Sequence, residues 1–318
     1  MKAVLGGKGA NLAEMTNLGV PVPPGFTISA EVCISYLRDG QPPSELRQEV
    51  EHNLTRLEEA CGRKLGERGN PLLVSVRSGA AASMPGMMET ILNLGLNEGT
   101  VEGLAAQSGN PRFAYDSYRR FLQMYSDVVL GIPVQDFEHL LGAKRIISGV
   151  ENDSDLSAEV LSALVQEYKM LVKAKTGSEF PADPAVQLWG AIEAVWRSWM
   201  LRKAVDYRRV NGIPETMGTA VNIVAMVFGN MGDDSGTGVA FTRNPATGER
   251  RFYGEFLVNA QGEDVVAGIR TPLHIDEMKE RLPGAYQELL VTQERLERHY
   301  RDMQDIEFTV ERGKLYLL

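Results

Sequence analysis

Apolar residues recur at helical spacing along some stretches of this chain and alternate with polar ones along others. Leu12, Met15 and Leu18 predict a helix over residues 10–18, stopped by Gly19 and preceded by a flexible glycine loop over 6–9. Residues 20–26 hold Pro21, Pro23 and Pro24, so they read as extended chain. An amphipathic helix is expected over 44–65 and a short strand over 72–77. From about 98 to 187 helix dominates. Residues 111–130 are rich in aromatics, and 156–175 carry Leu161, Leu164, Tyr168 and Leu171 at helical spacing. The polar stretch 148–157 reads as a loop. A helix over 188–210 opens the last part, followed by strands over 219–228, 238–242 and 252–259 and a long helix over 275–301. The end reads as a hairpin, 305–310 and 314–318, turning at Arg312-Gly313. Three parts follow: a mixed α/β stretch over 1–97, a helical one over 98–187 and a strand-rich one over 188–318. No internal repeat or low-complexity tract interrupts them.

Composition narrows the class. The 318 residues are 43% hydrophobic and 24% charged, ordinary values for a globular chain with a sizeable core. No run approaches the ~18 apolar residues of a membrane span, and the apolar start, Met1 to Leu5, is too short for a signal peptide. Cys33 and Cys61 form neither a CxxC pair nor a zinc spacing, so they read as reduced thiols of a cytoplasmic protein. A net charge of −9 argues against a nucleic-acid binder but not against a small anionic ligand. Charges are screened over about 8 Å at physiological salt, so a few local cations override the global sign.

Four segments could carry chemistry. Gly6-Gly7-Lys8-Gly9 offers backbone N–H groups and one cation to an anion. It lacks both the Walker and the GxGxxG spacing, and a plain turn into a helix explains it as well. Arg77 ends a strand and is followed by small residues and a Pro85-Gly86 turn. A guanidinium fork suits phosphate oxygens, and such a loop can close over a ligand; a surface ion pair is the simpler alternative. The Gly-rich stretch 229–238 could cover a nucleotide or merely link two strands. Asp305 and Glu307 stand two apart in a strand and so share a face, with Ile306 and Phe308 facing the core. That pair suits Mg²⁺, which takes one or two carboxylates beside phosphate oxygens, although solvated acids on a half-exposed strand look the same. Glu263 and Asp264 offer a second acidic pair. None of His52, His139, His274 and His299 is expected to be catalytic.

Taken together and in order, these segments resemble the pyruvate, phosphate dikinase family. The resemblance rests on LGGKGANLAEM (5–15), VSVRSGAAASMPGMMETILNLGLN (74–97), NPRFAYDSYRRFLQMYSDVV (110–129), GTAVNIVAMVFGNMGDDSGTGVAFTRNPATGE (218–249), GEFLVNAQGEDVVAGIRTP (254–272) and RDMQDIEFTVERGKLYLL (301–318). It is weakest over about 132–185. The related phosphoenolpyruvate synthases have a different loop after the arginine. The resemblance implies an ATP-grasp-like fold with a helical middle subdomain, binding Mg-ATP and passing a pyrophosphoryl group to a histidine on a separate domain. The full enzyme, a homodimer, turns ATP, phosphate and pyruvate into AMP, pyrophosphate and phosphoenolpyruvate. Carried over by position, Lys8 and Arg77 meet the ATP phosphates, Asp305 and Glu307 hold Mg²⁺ and nucleotide, and Arg120, Glu263 and Asp264 line the phosphate end. The strand through Met226 and Val227 lies beside adenine. The family pattern departs at Lys203, where an arginine is usual, and continues past Leu318 with a Gln-Thr-Arg segment of the ATP site. The phosphohistidine and pyruvate-binding domains are not in this sequence. The expectation is therefore the ATP-binding part of a phosphotransferase, incomplete for full turnover, with a nucleotide-binding or docking module without turnover as the alternative.

Overall fold

The computed structural model of the protein describes residues 1–266 and 270–318, Glu263 and Val266 by backbone alone. It divides into two compact units, Met1–Asn11 with Pro24–Met226, and Leu12–Pro23 with Val227–Leu318.

The first unit begins with α1 (Lys2–Asn17), whose later residues belong to the second unit. The expected glycine loop is instead a bend in this helical run. Only Gly6 leaves the helical region, with φ 70 and ψ 179. The next elements are β1 (Gly25–Ile28), α2 (Ala30–Asp39), α3 (Leu46–Cys61), β2 (Lys64–Leu65), β3 (Pro71–Leu72), β4 (Val74–Gly79) and β5 (Thr90–Leu94). Helices follow: α4 (Glu98–Ser108), α5 (Pro111–Val128), α6 (Val134–Ser148), α7 (Ala158–Thr176), α8 (Pro184–Ser198) and α9 (Arg202–Asn211), before β6 (Ala220–Ala225). The main sheet runs β1-β6-β4-β5, antiparallel throughout. Every residue of β6 is buried, as befits a central strand.

Local chemistry starts these helices. Asn97 caps α4 in a reciprocal box with Thr100. Asn110 caps α5 and Asp183 caps α8, and each helix carries proline at its first position. Helix α5 packs on α4, α7 and β5 through buried Phe113, Tyr118, Phe121, Leu122 and Tyr125. Each such side chain contributes roughly 1.5–3 kcal/mol by burial. The single helix expected over 188–210 is broken between α8 and α9. Trp199 is wholly buried there, with its indole N–H donating to the Glu215 carbonyl and the Arg208 guanidinium 4.0 Å from its ring centre. Leu201 turns extended to accommodate it.

The second unit holds β7 (Gly236–Phe241), β8 (Tyr253–Val258), α10 (Gly262–Val266), β9 (Leu273–His274), α11 (Met278–Arg281), α12 (Pro283–Tyr300), β10 (Asp305–Glu311) and β11 (Lys314–Leu317). Its antiparallel sheet runs β11-β10-β7-β8-β9. One face is the core, where Ala240, Phe256, Ile306, Phe308 and Val310 pack with Leu289 and Leu296 of α12 and with Met15. The long helix expected over 275–301 is interrupted at Leu282, since Pro283 has no N–H to continue it and starts α12 instead. Among the described residues, no helix is long and apolar enough to cross a membrane.

Candidate functional site

In the first unit the Lys8 segment and the end of the Arg77 strand are built against each other. Gly6 lies so close to Gly79 that a Cβ on it would fall 1.6 Å from the Gly79 carbonyl oxygen. Gly7 N–H donates to the Ala80 carbonyl at 2.9 Å. Such an approach requires glycine, both for space and for the positive φ at Gly6. Lys8, exposed, is thereby carried beside the residues that follow Arg77. Arg77 itself sits in β4, paired with Thr90 of β5 and Asn222 of β6. Gly79 N–H donates to Thr219 Oγ1 at 3.1 Å, which fixes the strand end from the other side.

Arg120 stands on α5, the helix that covers β5. Its Nε donates to Asp116 Oδ2 at 3.2 Å, while the buried Arg119 holds Oδ1 of the same carboxylate at 2.8 Å. Burial alone would raise the Asp116 carboxyl; Arg119, Arg120 and Arg112 together overcome it and bring it down to about 2. Lys203, on α9, pairs with Glu89 at 2.7 Å, at the far end of the loop that follows Arg77. Met226 lies just past β6, not within a strand as expected, although its N–H still donates to the Leu73 carbonyl at 2.9 Å.

In the second unit Asp305 and Glu307 are both exposed, on the sheet face opposite the core, while Ile306 and Phe308 are buried. Burial and the neighbouring Glu307 carboxylate both raise the Asp305 carboxyl. A carboxylate whose charge is disfavoured by burial and by a neighbouring acid is one that a divalent cation would relieve, so the chemistry of this pair fits such a cation. Among the described residues no group of three or more His, Cys, Asp or Glu side chains could hold a metal ion. Asp264 accepts from Gln261 N–H at 2.9 Å and so opens α10; the Glu263 side chain lies outside the described residues. Val227, expected in a strand, lies in the connection after β6. Next to it, Phe228 N–H donates to Glu311 Oε2 at 2.7 Å. Glu311 continues the i, i+2 register of Asp305 and Glu307, a signal present in the sequence but not singled out. Asn222, a polar residue inside an apolar strand, is a second signal of that kind.

A family model for the pyruvate phosphate dikinase AMP/ATP-binding domain matches residues 2–47 and 40–288. The chain is 56% identical over 320 residues to a pyruvate, phosphate dikinase of Clostridium symbiosum, covering 100% of this chain and 37% of that protein. It is 56% identical over 327 residues to one of Rhizobium meliloti, covering 99% and 36%. It is 58% identical over 319 residues to a chloroplastic one of Arabidopsis thaliana, covering 100% and 33%. The chain thus spans about a third of the length of these curated relatives.

Proposed function

The chain belongs to the pyruvate, phosphate dikinase family and corresponds to its AMP/ATP-binding domain, and from that premise we propose that it binds Mg-ATP in an ATP-grasp-like fold and donates the pyrophosphoryl group to a histidine on a separate domain. The carrying observation is the backbone contact of Gly6 and Gly7 with Gly79 and Ala80, which sets the Lys8 cation beside the end of the Arg77 strand.

In this reading Lys8 and Arg77 neutralise phosphate oxygens, and Arg120 adds a third cation whose direction is set by Asp116. Phosphoryl transfer needs little beyond positioning and charge neutralisation, which is what these groups offer. Asp305 and Glu307 hold Mg²⁺, which when bound supplies further neutralisation of the phosphates. Glu263 and Asp264 line the phosphate end, and the segment through Met226 and Val227 lies beside adenine. In the whole enzyme the histidine nitrogen attacks the β-phosphorus of ATP, the bond to the α-phosphate oxygen breaks, and AMP leaves. Phosphate and pyruvate are the other substrates of that enzyme, which we take to be a cytoplasmic homodimer.

Calorimetric titration of the purified chain with ATP, with and without Mg²⁺, tests the proposal. Binding strengthened by Mg²⁺ and weakened at least about tenfold in Arg77→Ala is expected, since a charge-assisted contact is worth about 1.5–3 kcal/mol. An Arg77→Ala variant that binds Mg-ATP like the parent overturns the assignment. Transfer is read separately, as label from [β-³²P]ATP appearing on an added phosphohistidine domain. Binding without label leaves the nucleotide-binding module as the correct reading.

A further inference from the structure

One polar side chain stands in the middle of an otherwise apolar strand. Asn222, in β6, is 1% exposed and lies between the buried Val221 and Ile223. Its cross-strand neighbours are Thr27 in β1 and Arg77 in β4. Burying an amide is unfavourable unless its hydrogen-bonding groups are met. Its Oδ1 is met, by Thr27 Oγ1–H at 2.8 Å. Its buried Nδ2 has no hydrogen-bond partner among the described residues, and a buried donor in that state asks for an explanation.

The surroundings supply one. A Cβ on Gly9 would lie 2.6 Å from Asn222 Oδ1, and a Cβ on Gly79 would lie 2.5 Å from Asn222 Nδ2. The amide is therefore wedged between two glycines, one just after Lys8 and the other two residues after Arg77. A valine or leucine could fill such a volume and keep β6 uniformly apolar. It could not accept from Thr27, nor leave a donor at the base of the segment that follows Gly79.

We propose that Asn222 is a positioning residue for polyphosphate binding, holding the Lys8 segment and the Arg77 strand end at a fixed spacing. It acts through Lys8 and Arg77 and touches no reacting atom. Its spare N–H₂ is taken up by the anion-bound arrangement of the segment after Gly79. This inference rests on the nucleotide reading above.

The test is a set of calorimetric titrations of the parent, Asn222→Ala, Gly79→Ala and the double variant, each with Mg-ATP and with adenosine, and each checked for folding by circular dichroism. Asn222→Ala is expected to weaken Mg-ATP about tenfold, the equivalent of one hydrogen bond, and to leave adenosine within about twofold. Gly79→Ala is expected to weaken Mg-ATP too, because its new methyl meets Nδ2. In the double variant that collision is gone, so Gly79→Ala adds nothing to Asn222→Ala. Such non-additivity marks direct coupling of the two residues. Equal loss of ATP and adenosine, no loss of either, or strictly additive effects would each overturn the positioning role. A parent that binds no Mg-ATP overturns the nucleotide reading and this role with it. If Asn222→Ala does not fold, Asn222→Ser, which keeps a hydroxyl in the sheet and removes the amide, carries the same comparison.

Discussion

Removing the Asp116 carboxylate should destabilise the first unit at neutral pH and lose much of that effect in acid. Asp116 and Arg119 are both almost fully buried, with side chains 5% and 4% exposed, and Arg120 is 21% exposed. Truncating one partner of a buried ion pair leaves the other charge uncompensated, which costs about 3–5 kcal/mol. The depressed carboxyl gives a second magnitude. Its guanidinium neighbours hold the carboxyl down to about 2 in the folded chain, against an ordinary value of 3.8. A depressed folded value means that the unfolded chain takes up the proton first as pH falls. The stability from this group is therefore complete above about pH 4 and is lost as pH falls towards 2. Held that far below its ordinary value, the group contributes about 2 kcal/mol at neutral pH. Deletion exceeds that figure because protonation leaves a neutral hydrogen-bonding group beside the guanidinium ions, whereas Asp116→Ala leaves nothing.

Urea denaturation followed by tryptophan fluorescence reads this directly. Trp189, Trp196 and Trp199 all belong to the first unit and are buried. The stability difference between parent and Asp116→Ala should be about 3–5 kcal/mol at pH 7 and shrink by about 2 kcal/mol near pH 2. A difference that stays constant with pH would refute the account of Asp116 as an ionised partner of Arg119 and Arg120. The paired replacement Asp116→Leu with Arg119→Met should recover most of the loss, because an apolar pair of similar volume removes both desolvation costs.

Other outcomes follow from the same geometry. Gly6→Ala should destabilise by at least about 1–3 kcal/mol in thermal unfolding, the cost of a glycine-only backbone conformation, before the collision with Gly79 is counted. Asp305→Asn combined with Glu307→Gln should abolish the Mg²⁺ enhancement of ATP binding and leave Mg²⁺-free binding no weaker; an undiminished enhancement would move the metal elsewhere. Burial pushes the Cys33 thiol up to about 11, and Cys61 is raised by the same cause but is only half-buried. A disulfide-exchange reagent at pH 8 should therefore modify Cys61 alone in the folded protein and both thiols in urea. Lys203→Ala should cost no more than about 1 kcal/mol in urea unfolding, since its pair with Glu89 is half-exposed.

What could be read along the chain and what could not divide by the distance over which each feature is decided. The face of Asp305 and Glu307 follows from strand periodicity, and the structure shows the alternation with Ile306 and Phe308 inward. Helix α5 was legible because its aromatics keep one face over five turns and Asn110-Pro111 marks its start. The break after Ser198 was not, because the residues 196–203 keep a helical pattern and the break is imposed by partners further along the chain, Arg208 and Glu215. The segment 6–9 failed for the opposite reason. Its three glycines look like local freedom, but two of them answer to partners far along the chain, Gly6 to Gly79 and Gly9 to Thr27 and Asn222, and outside Gly6 the segment stays helical. Asn222 belongs to that same class. A single amide in an apolar strand is unremarkable until the sheet brings Gly9, Thr27 and Gly79 around it. The residue types that carry charge were therefore visible in the sequence, whereas the ones that set their spacing are small or neutral and are defined only by what the fold packs against them.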